Sequence, residues 1–338
     1  MGPHFLAILA KQWIEGDDAL LRLAQARFVE ASLGGEIYPG TPDQLRHQLN
    51  FAPSHRPCTV HLPRNLNLLQ ADSRRRVMEF AAAAAGRVHG LIVHDHEQFA
   101  DRPDETISAF RDLDRQLAAL PHRPLVFVEY AAGLVPDFFA SLFERTVDLT
   151  YVSSCIDISH VGIRACQTLY AEKYPGIDVC SLKGAPDLAD KLNDIDAVVV
   201  AARSVVIELV RRVASLGKPL HFHLHDGHPL STLSRYGVSD HLSFLQQVPL
   251  PVEFHGRRLV GGIFGPAGLR AVMKALHGLA PERVSLMLEI HPQPGRLPLG
   301  RHGHLFSHWK DQANAEQMNF WLDVLVQNAV LLRDAYLS

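Results

Sequence analysis

Short apolar and β-branched runs recur along the chain, and each gives way to a stretch whose apolar positions carry helical spacing. The runs predict strands over Phe5–Leu9, Gly35–Tyr38, Cys58–Leu62, Gly90–His94, Leu125–Glu129, Thr150–Asp157, Leu220–Asp226 and Ser285–Ile290. Between them the spacing predicts helices over Asp17–Ala31, Asp72–Ala85, Thr106–Leu120, Val205–Leu216 and Gly268–Leu276. Repeated alternation of strand and helix is the signature of a parallel sheet with crossover helices, and eight strand–helix units close into a barrel. The predicted fold class is therefore α/β, a (β/α)8 TIM barrel. An open doubly wound sheet would instead place a Gly-rich phosphate turn between an early strand and a helix, whereas Gly34-Gly35 precedes a strand.

Two intervals are long. Between Asp157 and His223 the stretch Asp196–Ala202 reads equally as a strand or as the middle of a long helix, which leaves residues 183–216 unplaced. The second runs from Asp226 to Ser285. With a long loop after the last strand, the chain carries insertions after strands 6, 7 and 8, within the range such barrels tolerate. No Pro- or Ser-rich linker interrupts it, so a single barrel domain is expected over 1–338. It closes with a helix at about 314–336 whose apolar positions are Met318, Leu322, Leu325, Val326, Ala329 and Leu332.

Composition narrows the function classes. With 47% hydrophobic and 20% charged positions in 338 residues, the chain has enough apolar surface for a large core, which excludes disordered and fibrous classes. Lys plus Arg number 33 against 36 for Asp plus Glu, a net charge of -3 that gives no overall pull toward nucleic acid or anionic membrane. The four cysteines, Cys58, Cys155, Cys166 and Cys180, form no C-x-x-C pair and are too few to staple the chain. With no signal-peptide pattern and no apolar run long enough for a span, a cytoplasmic location is expected. The unusual feature is the 20 histidines, spread from His4 to His308.

In a parallel barrel the strand C-termini surround the active site. Here those ends read TVHLP with His61, LIVHDH with His94, VFVEYAAG with Glu129, CIDISH with Asp157 and His160, LHFHLHD with His221, His223, His225 and Asp226, and LMLEIHP with Glu289. All are N or O donors of the kind that hold Zn, Mn, Fe or Co. Alternate residues of a strand share a face, so His221, His223 and His225 point together into the barrel while Phe222 and Leu224 pack outward. Gathering carboxylates and imidazoles about one axis without a cation or substrate would be costly.

These motifs resemble the xylose isomerase-like superfamily of barrels, which holds sugar isomerases, epimerases and endonuclease IV-type repair enzymes. The resemblance runs from the strand at Glu36 to the strand at Glu289. VEYAAG is similar to the family's Glu at the fifth strand, CIDISH to its Asp-x-x-His at the sixth, HLHD to its His-x-x-Asp at the seventh and LEI to its Glu at the eighth. It implies a divalent cation (Mn, Zn, Co, Fe or Mg) held by Glu129, Asp157, His223 and Glu289, with Glu129 and Glu289 as the catalytic pair that moves a proton off and onto carbon beside a polarised carbonyl. His160 would then be a substrate contact, and on chemical grounds His225, Asp226 and Arg301 are also expected to bind substrate, His225 and Arg301 through its hydroxyls or a phosphate. The endonuclease IV branch holds more metal, and His61 and His94 match two of its further ligands. In Ser239-Asp240-His241, His241 matches a third and Ser239 stands where that branch has Asp, so one to three ions are expected.

The expected function is a metal-dependent sugar or sugar-phosphate isomerase or epimerase. The alternatives are an endonuclease IV-like phosphodiester hydrolase, with nucleic acid as a less favoured partner, and a barrel that binds metal without turnover. No membrane partner is expected, and homo-oligomer formation is left open. Arg74-Arg75-Arg76 and Arg211-Arg212 read as solvated helix faces, whereas the loop 292–310, with Arg296, Arg301, His302, His304, His308 and Lys310, reads as a cationic loop over the site.

Overall fold

Among the described residues ten strands form in the order β1 (His4–Ala10), β2 (Gly34–Ile37), β3 (Cys58–His61), β4 (Gly90–His94), β5 (Leu125–Glu129), β6 (Val152–Asp157), β7 (Leu220–Leu224), β8 (Gln247–Val252), β9 (Gly256–Gly261) and β10 (Val284–Leu288). The structure, a computed structural model, describes residues 2–10, 18–52, 55–131, 133–232, 241–252, 256–290 and 315–338. Eight of the strands close on themselves in the order β1-β10-β7-β6-β5-β4-β3-β2, every neighbour parallel, with helices in the connections. This is the expected (β/α)8 barrel.

Strand alternation sorts the residues even where a strand is wholly apolar. Leu91, Val93, Val126, Val128, Ile156, Phe222 and Leu224 join the main core beneath the helices, while Ile92, Phe127 and Cys155 form a separate cluster inside the barrel. Phe127 fills that interior only because Gly90 faces it, since a Cβ at Gly90 would lie 2.5 Å from the ring. Further along the same inward rows, toward the strand C-termini, polar residues replace apolar ones.

The stretch Asp196–Ala202 lies in the middle of a 27-residue helix, Leu188–Ala214. Leu192, Ile195, Val198, Val199, Ala202, Val206, Leu209, Val210 and Val213 are buried at helical spacing, whereas Val200 is 64% exposed. A strand would have buried alternate residues. This helix and the turn Val179–Leu182 make up the insertion after β6. The insertion before β10 contains the antiparallel hairpin β8–β9, and the loop after β10 lies outside the described residues. The final helix, Ala315–Leu337, buries Leu322, Leu325, Ala329 and Leu332 as expected, and Trp321 Nε1 donates to the Ile290 carbonyl at 3.1 Å. Among the described residues no helix is long and apolar enough to cross a membrane.

Candidate metal centre

His61, His94, Glu129 and Asp157 end β3, β4, β5 and β6, His223 lies near the end of β7, and His225 and Glu289 follow β7 and β10 directly. All but the partly buried His94 are buried. Their ligand atoms, with those of His160 and His241, fall into three groups within which the atoms lie no more than 4.8 Å apart, and a fourth such group joins His223 to Cys155 and His221. The first is His61, His94 and Glu129; the second is Glu129, Asp157, His223 and Glu289; the third is Asp157, His160, His225 and His241. Glu129 is common to the first two and Asp157 to the last two, so the groups form a continuous chain joined by carboxylates.

Hydrogen-bond accounting tests whether these residues suit a cation. A carbonyl only accepts, so His61 Nδ1, 2.9 Å from the Leu62 carbonyl oxygen, must donate. In the neutral ring Nε2 then presents a lone pair to Glu129 Oε2 at 2.9 Å, and His94 Nε2 stands 3.2 Å from the same nitrogen. His225 repeats the pattern. Its Nδ1 donates to the Asp226 carbonyl at 3.0 Å, and Nε2 faces Asp157 Oδ2 at 3.1 Å. Donation of the far nitrogen to a carbonyl is how metal-bound histidines are commonly oriented. Asp157 is divided likewise: Oδ1 caps the helix Ile158–Lys173 by accepting from the amides of Ser159 and His160, leaving Oδ2 toward His225 and His160. Neither ring nitrogen of His223 makes a well-formed hydrogen bond, although Nδ1 lies 3.2 Å from both Glu129 Oε1 and Glu289 Oε2. Facing lone pairs in a buried cluster require protons or a metal, and the donor set fits a divalent cation.

Without a cation, protons hold the cluster together. Burial works to lower the pKa of His223, yet Cys155, Glu129, Glu36 and Glu289 raise it well above the ordinary imidazole value. Burial works to raise Glu129, and its three histidine neighbours, His223, His94 and His61, hold it well below the usual carboxylate range. Burial pushes His94 down to about 3, which keeps that ring neutral and a lone-pair donor.

Beneath the candidate ligands lies a layer that sequence reasoning left out of the site. Glu36 on β2 is fully buried, with Oε1 3.1 Å from His223 Nε2 and Oε2 3.1 Å from His221 Nε2. Thr59 Oγ1 donates to Glu36 at 2.7 Å, and His221 Nδ1 lies 2.6 Å from Ser285 Oγ. Tyr38, two residues on, stacks on the His61 ring at 4.6 Å and brings its hydroxyl within 3.1 Å of Glu36 and 3.0 Å of Glu289. The available signal was parity: an acid inside a short strand, two residues before a tyrosine, places both on one face.

Other expected site residues fall differently. Asp226 does not line the cavity, because its carboxylate accepts from the backbone amides of Gly227 (2.8 Å), Phe264 (3.0 Å) and Gly265 (2.7 Å). It clasps the insertion before β10 to the barrel. His160 and His225, expected to touch substrate, stand instead in the third ligand group. Arg301, the loop 292–310, Ser239 and Asp240 lie outside the described residues.

The candidate ligands open into a cavity of about 680 Å³, lined by His61, His94, Glu129, His160, His241 and Glu289 and bordered by Tyr38, Arg64, His96 and Glu97. A cavity of that size suits a small molecule. No protein-family model matches the chain, and no curated protein matches it.

Proposed function

We propose that the protein is a multinuclear divalent-metal hydrolase acting on small phosphate esters. The observation that carries this reading is the chain of three ligand groups joined by Glu129 and Asp157. Carboxylates shared between adjacent groups are the arrangement that sets two cations side by side, and such pairs clamp the attacking and leaving oxygens of a displacement at phosphorus. Under this reading Glu129 and Asp157 would be shared between neighbouring cations, His61, His94, His160, His225 and His241 would complete the outer groups, and His223 and Glu289 would complete the central one. Arg64, exposed at the cavity border with no hydrogen bond or ion pair among the described residues, offers a cation to a substrate phosphate.

Small substrates are favoured over nucleic acid because most arginines of the helix-face clusters are already paired. Arg74 pairs with Asp112, Arg75 with Asp72, Arg76 with Glu79, and Arg212 with Asp137 and Glu144. The resemblance of His61, His94 and His241 to the endonuclease IV branch supports the chemistry without requiring its polymer.

A second reading, the sugar isomerase or epimerase, is favoured by the central group taken alone. Glu129, Asp157, His223 and Glu289 suffice for one cation, and both glutamates line the cavity. One would remove and the other return a proton beside a polarised carbonyl. Elemental analysis of the purified chain, with bis(p-nitrophenyl) phosphate hydrolysis run beside solvent-deuterium exchange into a ketose panel, separates the two. Two or three metal equivalents with ester turnover that depends on His61 and His94 is the expected result. One equivalent with carbon–hydrogen exchange would replace the first reading by the second, and no bound metal would remove both.

A further inference from the structure

A second cavity, of about 960 Å³, adjoins the metal cavity, and Glu97 lines both. One of its walls is the helix Ile158–Lys173. His160 sits in the first turn of that helix, and Arg164 is four residues on, one turn further along the same face. Facing it are the apolar side chains of Leu134, Val135 and Phe138.

Arg164 is out of keeping with the arginines on the outer helix faces. It is partly buried, its Nε is fully shielded from solvent, and no acceptor reaches that nitrogen. The acids lining the same cavity, Glu97, Glu172 and Asp178, form no ion pair with it among the described residues, and Asp178 is occupied in accepting from the Cys180 amide at 3.0 Å. A shielded N–H without an acceptor is unfavourable, and the planar fork of donors to which it belongs matches the oxygens of a phosphate or carboxylate.

We propose that this cavity binds the oxyanion group of an organic ligand, with Arg164 as the anchor and Leu134, Val135 and Phe138 as the seat of its carbon skeleton. The site stands on its own geometry and does not depend on turnover at the metal centre. Through the border at Glu97, a ligand held here extends toward the candidate metal ligands; only this extension rests on the hydrolase reading.

Phenyl phosphate, a dianion on an apolar ring, is the probe. Titrated calorimetrically into the full chain after metal removal with a chelator, which silences the metal centre, it should bind at one equivalent, and Arg164→Gln should weaken that binding at least about ten-fold. The same variant should melt at or above the wild-type temperature, because it removes an unpaired, partly buried charge. A residue serving only to pack its stem would give the opposite pair of results, a lower melting temperature with unchanged binding. Binding that disappears with the chelator would place the phosphate on the metal centre and overturn the proposal, as would equal affinity in wild type and Arg164→Gln. Absence of metal or of turnover leaves the chelator-treated titration intact, so the two readings fail separately.

Discussion

Glu36 Oε1 stands 3.1 Å from Nε2 of His223, and both residues are fully buried. The other nitrogen of that ring faces Glu129 and Glu289, each at 3.2 Å. A carboxylate on the far nitrogen fixes the ring and makes the near nitrogen a better donor. Glu36→Gln should therefore weaken cation binding by roughly 10- to 100-fold at the central group while the His61 and His94 group keeps its affinity. Competition against a chromophoric chelator measures this. Unchanged affinity in a folded variant would show that Glu36 supports the interior without tuning His223.

Metal should also stabilise the fold, since the ligands come from strands distributed around the barrel and assemble only when it closes. A cation at about 1,000 times its dissociation constant adds about 4 kcal/mol if it binds only the folded chain. Chelation should lower the melting temperature, and adding zinc or manganese back should restore it. In His61→Ala combined with His94→Ala the metal-dependent shift should shrink but persist, because the other two groups remain. A melting temperature indifferent to chelator and metal would argue against any of the three groups holding a cation.

The barrel was legible because each strand is a short, largely apolar run and most have a polar residue at or just past the end, and period-2 alternation then assigned His221, His223 and His225 to the interior. The chain of ligand groups was legible in part: His61, His94, Glu129, Asp157, His223 and Glu289 sit at or beside strand ends where the fold brings them together, and His241 joins them from the connection after β7. Parity alone marked Glu36 and Tyr38 as sharing a face, and both escaped because Glu36 lies inside a four-residue strand rather than at its end. For Asp226, expected to contact substrate, nothing local shows that its carboxylate accepts from the amides of Phe264 and Gly265, almost forty residues away. Asp196–Ala202 stayed ambiguous because three consecutive valines satisfy either period, and only the neighbouring turns of the long helix decide.

His228 supplies a pH dependence away from the candidate ligands. Its Nδ1 accepts from the Leu230 amide at 3.2 Å, Nε2 is buried without an acceptor, and burial pushes the pKa down to about 4 from 6.5. The folded chain thus holds this ring neutral while the unfolded chain protonates it. Between pH 6.5 and about 4 the unfolded state binds more protons, so this contribution is complete above 6.5 and is lost as pH falls toward 4. The full loss is on the order of 3 kcal/mol. Urea unfolding at pH 7, 6 and 5 should show a shallower decline for His228→Gln than for wild type. Parallel curves would mean that His228 does not titrate with unfolding.

Asp226 ties the insertion before β10 to the barrel, and two substitutions probe that clasp from its two sides. Asp226→Ala leaves three backbone amides, those of Gly227, Phe264 and Gly265, without their acceptor in a dry environment. The expected loss is on the order of 3 kcal/mol, read as a lower denaturant midpoint. Gly262→Ala approaches the same carboxylate from outside: its Cβ would lie 2.3 Å from the Asp226 side-chain carbon, so the loop must lift or the carboxylate must turn. Both variants should also weaken metal binding at the third group, because His241 reaches the centre on the strand of chain whose next residue, Leu242, exchanges backbone hydrogen bonds with Asp226 at 2.7 and 2.9 Å. Combined in one chain, they should destabilise by clearly less than the sum of the single effects, since alanine at 226 removes the atoms that Gly262→Ala would strike. Additive losses would show that the two act on separate parts of the structure and that Asp226 is not the clasp.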